Sequence, residues 1–402
     1  METTTPPPRP TAAIWAGIAC LIAGYVLSQF YRAFLAVLTP VLKSDLGAGS
    51  EDLATASSLW FLAFAAMQVP VGIALDRVGP RRTAAALLLL GALGAAVFAM
   101  ATTPLGLQIA MALIGVGCAP VLMSGYYIFA RSFPPALFGT LAGAMVGVGN
   151  LGNIGASLPL SLAVEGFGWR ATVWGLAAVT AAIAALVAAL VRDPARVETQ
   201  TKGRLLDLLL MRQLWPIFVM MALCYAPVAA LRGLWVGPYY LDVFGATPAE
   251  IGRVTLWMGL AMVAGSFAYG PLERVFGSRK RLILAGNLIA LIALLGLWAL
   301  PLAGGWVTLA LLVLFGFAGT SFPMVIAHGR AFLPAHLTGR GVTLLNLFGI
   351  GAVGVAQSFT GQIAASAPPT PPDAPYAAIF LFFAVTLAVA LAIYATAEDR
   401  TD

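Results

Sequence analysis

Charged residues are scarce in this sequence, and apolar residues dominate it. Asp, Glu, Lys and Arg together make up 9% of its 402 residues, whereas 60% are apolar and 43 are glycine. Ordinary soluble domains carry about 25% charged residues. The scarcity of charge therefore excludes an ordinary soluble protein and indicates a chain that crosses a membrane many times.

Cysteine and histidine are also few, which limits the chemistry that the chain can perform. The three cysteines, Cys20, Cys118 and Cys224, all lie in apolar runs, so we expect neither a structural disulfide nor a metal site. The sequence contains neither a nucleophile elbow nor a phosphate-binding loop. We therefore expect no enzyme activity and no cofactor.

The basic residues are unevenly distributed about the apolar runs. If these runs are membrane spans, 17 of the 22 lysines and arginines fall on one side of the membrane. Loops rich in lysine and arginine face the cytoplasm. The net charge of +6 thus reflects topology and gives no reason to expect a nucleic-acid partner. We expect a monomeric, multi-pass protein in the lipid bilayer of the inner (cytoplasmic) membrane, with both termini in the cytoplasm.

The apolar runs are long enough to cross a bilayer as helices. A span needs about 20 residues, and only helices and closed barrels satisfy the backbone in lipid. The sequence therefore predicts an all-α membrane protein with twelve spans, numbered in chain order: 12–38, 52–74, 83–102, 105–129, 139–163, 170–191, 213–241, 250–272, 282–301, 306–329, 341–364 and 375–396.

The two halves of the chain repeat one pattern of residues. Trp15, Tyr25 and Arg32 in span 1 correspond to Trp215, Tyr225 and Arg232 in span 7, and Pro40, which we expect to end the first run, corresponds to Pro238. This repeat predicts two pseudo-symmetric six-helix bundles. The predicted parts of the chain are a disordered tail (1–11), a first bundle (12–191), a cytoplasmic linker (192–212), a second bundle (213–396) and a final tail (397–402).

A charged loop with a recognisable spacing follows the second span of each half. The first copy reads G-x-x-x-D-R-x-G-x-R-R, and the second is a degenerate copy about 197 residues later. We expect these loops to form a conformational latch at the cytoplasmic surface, in which glycine lets two helices approach and the acidic residue pairs with arginine. Its residues are Gly72, Asp76, Arg77, Gly79, Arg81 and Arg82 in the first copy, and Glu273 and Arg274 in the second.

The loop pattern resembles the hallmark loop of the major facilitator superfamily. The resemblance extends over the whole chain and implies two six-helix bundles related by an axis along the membrane normal. It also implies a midplane binding site that is reached from each side in turn. In many proton-coupled members span 4 carries an arginine four residues before a glycine pair, but Met111 precedes Gly115 and Gly117 here. Exchange, uniport and a histidine-coupled route all remain open.

Arg32 and Arg232 are the principal candidate site residues. An arginine at a membrane helix centre costs about 2.5–3.5 kcal/mol on insertion scales unless it faces protein or water. None of the 16 acidic residues maps near the midplane, so a substrate anion can supply the partner that both arginines lack. Backbone carbonyls could satisfy them instead. The placement resembles the organophosphate antiporters and, more loosely, the anion–cation symporters, in which spans 1 and 7 each supply an arginine to the anion.

Further polar residues could line the same cavity. Tyrosine could donate to the anion or pack between helices, and the asparagine pair of span 5 could bind substrate or join helices. These substrate-binding candidates are Tyr25, Tyr225, Gln29, Tyr31, Asn150 and Asn153. His328, near the cytoplasmic end of span 10, could relay a proton or lie solvated at the interface.

These observations predict a secondary active transporter that moves a small organic or phosphorylated anion across the cytoplasmic membrane by alternating access. Arg32 and Arg232 would bind the anion. One alternative is a multidrug or hydrophobic-solute exporter of the same fold, which usually carries a membrane carboxylate. The other is a transporter-like anion receptor, which transport into proteoliposomes would distinguish.

Overall fold

The computed structural model describes residues 12–194, 208–333, 338–368 and 370–400. Eleven helices are long and apolar enough to cross a membrane, and a twelfth span results when Leu141–Gly155 and Leu158–Phe167, bent by 42°, are taken together. The described residues form helices and connecting turns, without any strand. The twelve-span, all-α prediction is confirmed, and the span numbers are kept below.

Four spans are continuous helices at the periphery. Each has 21 or 22 residues, which at about 1.5 Å per residue gives about 32 Å, close to the thickness of the hydrocarbon core. They expose large apolar side chains such as Leu89 and Ile292, as expected for helices that face lipid. They are spans 3, 6, 9 and 12, at Pro80–Met100, Trp169–Leu190, Arg279–Ala299 and Ala374–Tyr394.

Spans 8 and 11 are also continuous, but longer. They run over Pro248–Phe276 and Thr338–Ser366, with 29 residues each. Span 8 begins with a capping box, in which Thr247 accepts from the amide of Glu250 and the Glu250 carboxylate accepts from the amide of Thr247. This box fixes the starting point of the helix.

The other six spans are irregular: one to three non-helical residues interrupt spans 1, 2, 4, 5 and 10, and a π-helical segment interrupts the α-helix of span 7. Non-helical backbone at membrane depth is stable only where protein or a polar cavity satisfies it, so these breaks mark the interior of the molecule. The segments are Ala12–Tyr31 and Phe34–Leu46 (span 1), Ser50–Ala66 and Gln68–Arg77 (span 2), Pro104–Cys118 and Pro120–Ser132 (span 4), Pro135–Gly155 and Leu158–Phe167 (span 5), Arg212–Leu214, Trp215–Ala230, Leu231–Trp235 and Val236–Phe244 (span 7), and Gly305–Ala318 and Phe322–Arg330 (span 10).

Pro40 does not end the first span, contrary to the sequence prediction. It lies inside Phe34–Leu46, which ends instead at Gly47 in the left-handed conformation. Because proline has no N–H, the carbonyl of Ala36 one turn earlier lacks its usual amide donor. Gly237 of span 7 packs against that carbonyl and Thr39, and a side chain at this glycine would overlap both. The proline thus coincides with a close contact between two spans.

The end of the molecule at which Ala12 and Arg400 lie is called the basic end here, and the opposite end the distal end. The first bundle (spans 1–6) and the second (spans 7–12) pack closely in the distal half. There the Ser58 hydroxyl donates to the Gly354 carbonyl at 2.7 Å and lies 2.6 Å from the Ser358 hydroxyl. Gly252 packs against Leu158 and Ser161 across the same interface.

The basic half is more open. A side chain added at any of four glycines there would meet no atom within 4 Å, and Val69 and Ile73 of span 2 are about half exposed. These glycines are Gly72, Gly143, Gly147 and Gly270. The close contacts between the bundles described above lie in the distal half, whereas these glycines face open space. The bundles therefore separate towards the basic end.

Candidate functional site

The two candidate arginines lie where their helices are interrupted. Arg32 and Ala33 form a turn between the two segments of span 1, and Arg232 lies in the π-helical segment Leu231–Trp235 of span 7. Single π-helical turns occur frequently at functional sites. The two arginines, which correspond in the sequence repeat, therefore both lie in irregular backbone.

Arg32 is partly buried and lies over two aromatic rings. Its guanidinium carbon lies 5.2 Å from the centre of the Trp60 ring and 4.9 Å from that of Phe64. Its Nε is buried without an acceptor, and no described carboxylate forms an ion pair with it. The two terminal nitrogens, which have no hydrogen bond to the described residues, keep their donors for another molecule.

Arg232 is almost fully buried, at 3% exposed, and is bonded to the opposite bundle. Its Nη1 donates to Oδ1 of Asn153 at 2.9 Å, while Nη2 donates to the Asn153 carbonyl and, at 3.2 Å, to the Ser157 hydroxyl. The two predicted anion ligands thus have different surroundings. The prediction that they bind one anion together stays a prediction.

A chain of amide side chains leads from span 1 to Arg232. Gln29 donates to Oδ1 of Asn150 at 3.4 Å, and Asn153 donates to the same oxygen at 3.4 Å. Because Asn153 also accepts from Arg232, the structure brings together three of the predicted amide residues and one arginine. The Oε1 of Gln29 is buried and has no donor among the described residues.

Two of the three predicted tyrosines lie close to this cluster. Tyr25 packs on Gly149 and is close enough to Arg32 and Tyr225 to interact electrostatically with both. Tyr225 packs against Phe322 of span 10, with the ring centres 4.8 Å apart and the planes tilted by 56°. Tyr31 is directed elsewhere, because its hydroxyl bonds Thr180 of span 6 at 2.9 Å. The structure therefore does not bring Tyr31 into the cluster.

Trp60, Phe64 and Ser157 are site residues that the sequence reasoning missed. A tryptophan or phenylalanine in an apolar run looks like any other core residue, and Trp60 is 0% exposed. Only the fold shows that span 2 places its rings against the guanidinium of Arg32. Ser157 carried one usable signal, since it follows Asn153 by one helical turn.

The predicted latch residues form ion pairs at the basic end, with partners that partly differ from those expected. Asp76 lies 3.8 Å from Arg131 of span 4, while Glu273 pairs at 2.7 Å with Arg279. Gly72 makes no close helix contact here, because the bundles have separated at this end. Arg77 and Arg82 are exposed, and the side chain of Arg274 lies outside the described residues.

Each bundle has an aspartate that caps the start of a helix, of span 3 in the first bundle and of span 9 in the second. Neither aspartate was predicted from the sequence. Asp193, just after span 6, accepts from the backbone amide of Arg81 at 2.8 Å and contacts Gly79. Asp399, just after span 12, accepts from the Ser278 hydroxyl at 2.5 Å and from the amide of Lys280 at 3.4 Å. A carboxylate at a helix N-terminus is favourable, so the caps tie each loop to the end of its own bundle.

His328 is buried, at 0% exposed, which excludes a solvated position at the interface. Its Nδ1 lies 2.6 Å from the Tyr394 hydroxyl, and its Nε2 lies 3.0 Å from the Glu398 carbonyl. Arg400 stacks over Phe332 beside it at 4.7 Å. The described part of the predicted final tail is thus bound to the second bundle, and the proton-relay role of His328 stays a prediction.

A charged contact joins the bundles at the distal surface. Lys43, three residues after Pro40 in the second segment of span 1, pairs with Asp242 of span 7 at 2.6 Å. The second oxygen of Asp242 accepts from the Tyr376 hydroxyl at 2.5 Å. This contact helps to close the distal end of the molecule.

Comparison with known proteins identifies the family. The sequence profile of the Major Facilitator Superfamily matches residues 21–234, more than half of the 402 residues. The chain belongs to the major facilitator superfamily. This major facilitator is therefore a membrane transporter and not an enzyme.

Individual relatives are distant. The facilitator is 21% identical over 300 residues to SauU of Cupriavidus necator, described as a probable sulfoacetate transporter, covering 70% of this chain and 69% of SauU. A bacterial homologue of the human lysosomal transporter Spinster, inward-facing and unoccupied, superposes with a TM-score of 0.79 at 15% identity over 96% and 97% of the two chains. A D-xylose–proton symporter superposes with a TM-score of 0.80 at 14% identity over 97% and 99%. The structural neighbours share the fold.

Proposed function

We propose that this transporter carries a small organic anion with a sulfonate or carboxylate head group, and that Arg32 binds the head group. The observation that carries the proposal is the unpaired guanidinium of Arg32, whose terminal nitrogens have no hydrogen-bond partner among the described residues. A guanidinium offers two parallel donors that match the oxygens of a carboxylate or sulfonate.

The rings of Trp60 and Phe64 support this role for Arg32. They lie against the guanidinium as cation–π partners, with ring centres 5.2 and 4.9 Å from its carbon, and they take up none of its N–H donors in ordinary hydrogen bonds. Nearby, Gln29 and Asn150 supply amide groups, which can contact the uncharged part of a substrate. A cation substrate finds no described carboxylate beside Arg32.

The relationship to SauU supports a sulfonate in particular. SauU is described as a transporter of sulfoacetate, a small dianion with one sulfonate and one carboxylate. At 21% identity this relationship gives a class of substrate to test. We therefore choose sulfoacetate as the first probe, with other small carboxylates and phosphate esters as competitors.

We further propose that transport proceeds by alternating access across the cytoplasmic membrane, with the basic end and both termini in the cytoplasm. The excess of lysine and arginine at that end supports this orientation. In the state described here the site would be open to the cytoplasm and closed at the distal surface by Lys43 and Asp242.

The test is titration of the purified protein with sulfoacetate by calorimetry or thermal shift. Removing one partner of a buried charged hydrogen bond costs about 2–5 kcal/mol, so Arg32→Ala should lower the affinity by about 30-fold to several thousand-fold. Arg32→Lys keeps the positive charge but lacks the two parallel N–H donors, so it should lower the affinity less than Arg32→Ala does.

Arg253→Ala is the matched control, because it removes an exposed arginine at the distal start of span 8 and should leave the affinity unchanged. Wild-type affinity in Arg32→Ala would disprove the assigned site. Equal binding of a neutral analogue would disprove the anion specificity. Uptake of labelled sulfoacetate into proteoliposomes then separates a transporter of this anion from a receptor for it.

A further inference from the structure

At its break, span 5 has a backbone carbonyl that receives no hydrogen bond from a backbone amide of its own helix. The amide of Ser157 bonds the Ile154 carbonyl at 3.1 Å, so the carbonyl of Asn153 loses the donor that a continuous helix would give it. This carbonyl instead accepts from the Ser157 hydroxyl at 3.0 Å and from Arg232. Because helix C-termini carry partial negative charge, the break creates a site that favours a cation.

Arg232 supplies that cation from the other bundle. Its two terminal nitrogens bond the side chain and carbonyl of Asn153 and the hydroxyl of Ser157. Gly259 of span 8 lies behind the guanidinium, where a side chain would come within 2.9 Å of Nη2. The guanidinium is therefore enclosed, and its contacts join an irregular segment of span 7 to an irregular segment of span 5.

We propose that Arg232 is an inter-bundle clamp, which holds spans 5 and 7 together while the distal end is closed and releases them when that end opens. Spans 5 and 7 belong to different bundles, so distal opening must separate Arg232 from Asn153 and Ser157. The clamp goes beyond the proposed function, because it requires no particular substrate.

Close contacts between the two bundles lie on both sides of the clamp. Gly233, the next residue in span 7, packs so closely that a side chain there would lie 2.6 Å from the carbonyl of Arg32. Gly252 of span 8 packs against Ser161, one turn beyond Ser157. The clamp thus lies between two places where the bundles touch backbone to backbone.

The experiment measures distal opening directly, without substrate. Spin labels at Glu165→Cys in span 5 and Arg253→Cys in span 8, both exposed positions, report the distance between the bundles in a background that lacks the three native cysteines. Pulsed electron spin resonance then gives the ratio of open to closed molecules. Arg232→Gln should raise this ratio by about tenfold, since it removes the charge-assisted hydrogen bonds of the clamp. The double variant Asn153→Ala with Ser157→Ala should raise it by about threefold, since it removes the two side-chain acceptors but keeps the Asn153 carbonyl.

Ser266→Ala is the matched control, because among the described residues the Ser266 hydroxyl bonds only the Met262 carbonyl of its own span, at 2.9 Å. It should leave the ratio unchanged. An unchanged ratio in Arg232→Gln would overturn the clamp. A rise in Arg232→Gln with no rise at all in the double variant would overturn the role of the Asn153 and Ser157 side chains in the clamp.

If Arg232→Gln does not fold, the open-to-closed ratio of the double variant tests the clamp, because that variant leaves the arginine in place. Arg32→Ala in the same labelled background separates this proposal from the anion proposal. It should lower the affinity for sulfoacetate by about 30-fold to several thousand-fold, without the tenfold rise in the substrate-free ratio that Arg232→Gln produces. Failure of sulfoacetate to bind wild-type protein would contradict the substrate class and leave the clamp result valid.

Discussion

Arg32 and Arg232 occupy corresponding positions in the two halves of the chain, but the fold gives them different partners. Arg32 contacts aromatic rings of its own bundle and keeps its terminal donors free. The terminal nitrogens of Arg232 instead donate to Asn153 and Ser157 of the other bundle. The difference arises from span 5, whose break supplies acceptors beside Arg232. Residue type and spacing alone make the two arginines look equivalent.

Trp60 is expected to orient Arg32 for anion binding. A cation–π contact contributes about 0.5–2 kcal/mol, so Trp60→Leu should weaken sulfoacetate binding by about 2- to 30-fold. Trp60→Phe keeps a ring face and should lose less. Calorimetric titration of both variants provides the measurement.

Trp174→Leu is the control for Trp60, because Trp174 is 47% exposed on the outside of span 6. It should bind like the wild type. Equal losses in Trp60→Leu and Trp60→Phe would assign the effect to the indole N–H, which is buried without an acceptor. Unchanged binding in both would remove Trp60 from the site.

At the scale of helices, the continuous spans could be predicted and the breaks could not. Long aliphatic runs at membrane length leave few alternatives, which is why spans 3, 6, 9 and 12 follow from hydropathy. Breaks depend on tertiary partners. Pro40 is a strong local helix breaker, but the helix continues past it, and the break falls at Arg32 and Ala33, where the sequence carries no breaker.

The candidate site was predictable in its polar members and not in its apolar or capping ones. Gln29, Asn150 and Asn153 stand out because amides are rare in apolar runs, and the fold brings them together. Tyr31 shares the same polarity signal but bonds Thr180, since neighbouring residues on a helix point in different directions. Asp193 and Asp399 lie outside the spans, so no search of the spans could find them.

Gly237 is expected to be necessary for distal closure. A side chain there would overlap the Ala36 carbonyl and the Thr39 hydroxyl, so Gly237→Ala should prevent spans 1 and 7 from packing fully. The distance between labels at Glu165→Cys and Arg253→Cys should shift towards the open population, and exchange in proteoliposomes should slow.

Gly175→Ala in span 6 is the matched control for Gly237, since a side chain there would meet no atom within 4 Å. Its label distances and exchange rate should equal those of the wild type. A closed distance retained in Gly237→Ala would show that the bundles can adjust around the added methyl group.

At the scale of the whole molecule, Lys43 and Asp242 help to hold the distal end closed. Their side chains are 50% and 26% exposed, so the pair should contribute at most about 1 kcal/mol. Lys43→Asp should raise the open-to-closed ratio several-fold, because it adds repulsion to the loss of the pair. The double variant with Asp242→Lys should restore part of the closure, since it reforms the pair but loses the Tyr376 hydrogen bond.

Salt provides a second check on this pair, because exposed charges are screened at high ionic strength. The label distance in wild-type protein should shift towards the open population as salt rises, and the shift should be absent when both residues are replaced by alanine. An equal salt effect in that variant would assign the closure to other charges.

The unpaired guanidinium of Arg32 also has an electrical consequence. A charge that crosses the full membrane potential gains or loses about 2.3 kcal/mol per 100 mV, and the described residues place no carboxylate beside this arginine to cancel its charge. When access alternates, the empty carrier shifts this charge relative to the field, together with that of Arg232, whose described partners are all uncharged. A bound monoanion offsets one of these two charges, whereas a bound dianion offsets both. Net flux through proteoliposomes should therefore respond to an imposed potassium diffusion potential. The rate of one-for-one exchange should respond to it for a monoanion and not for a dianion, so the voltage response of exchange would itself report the valence of the substrate.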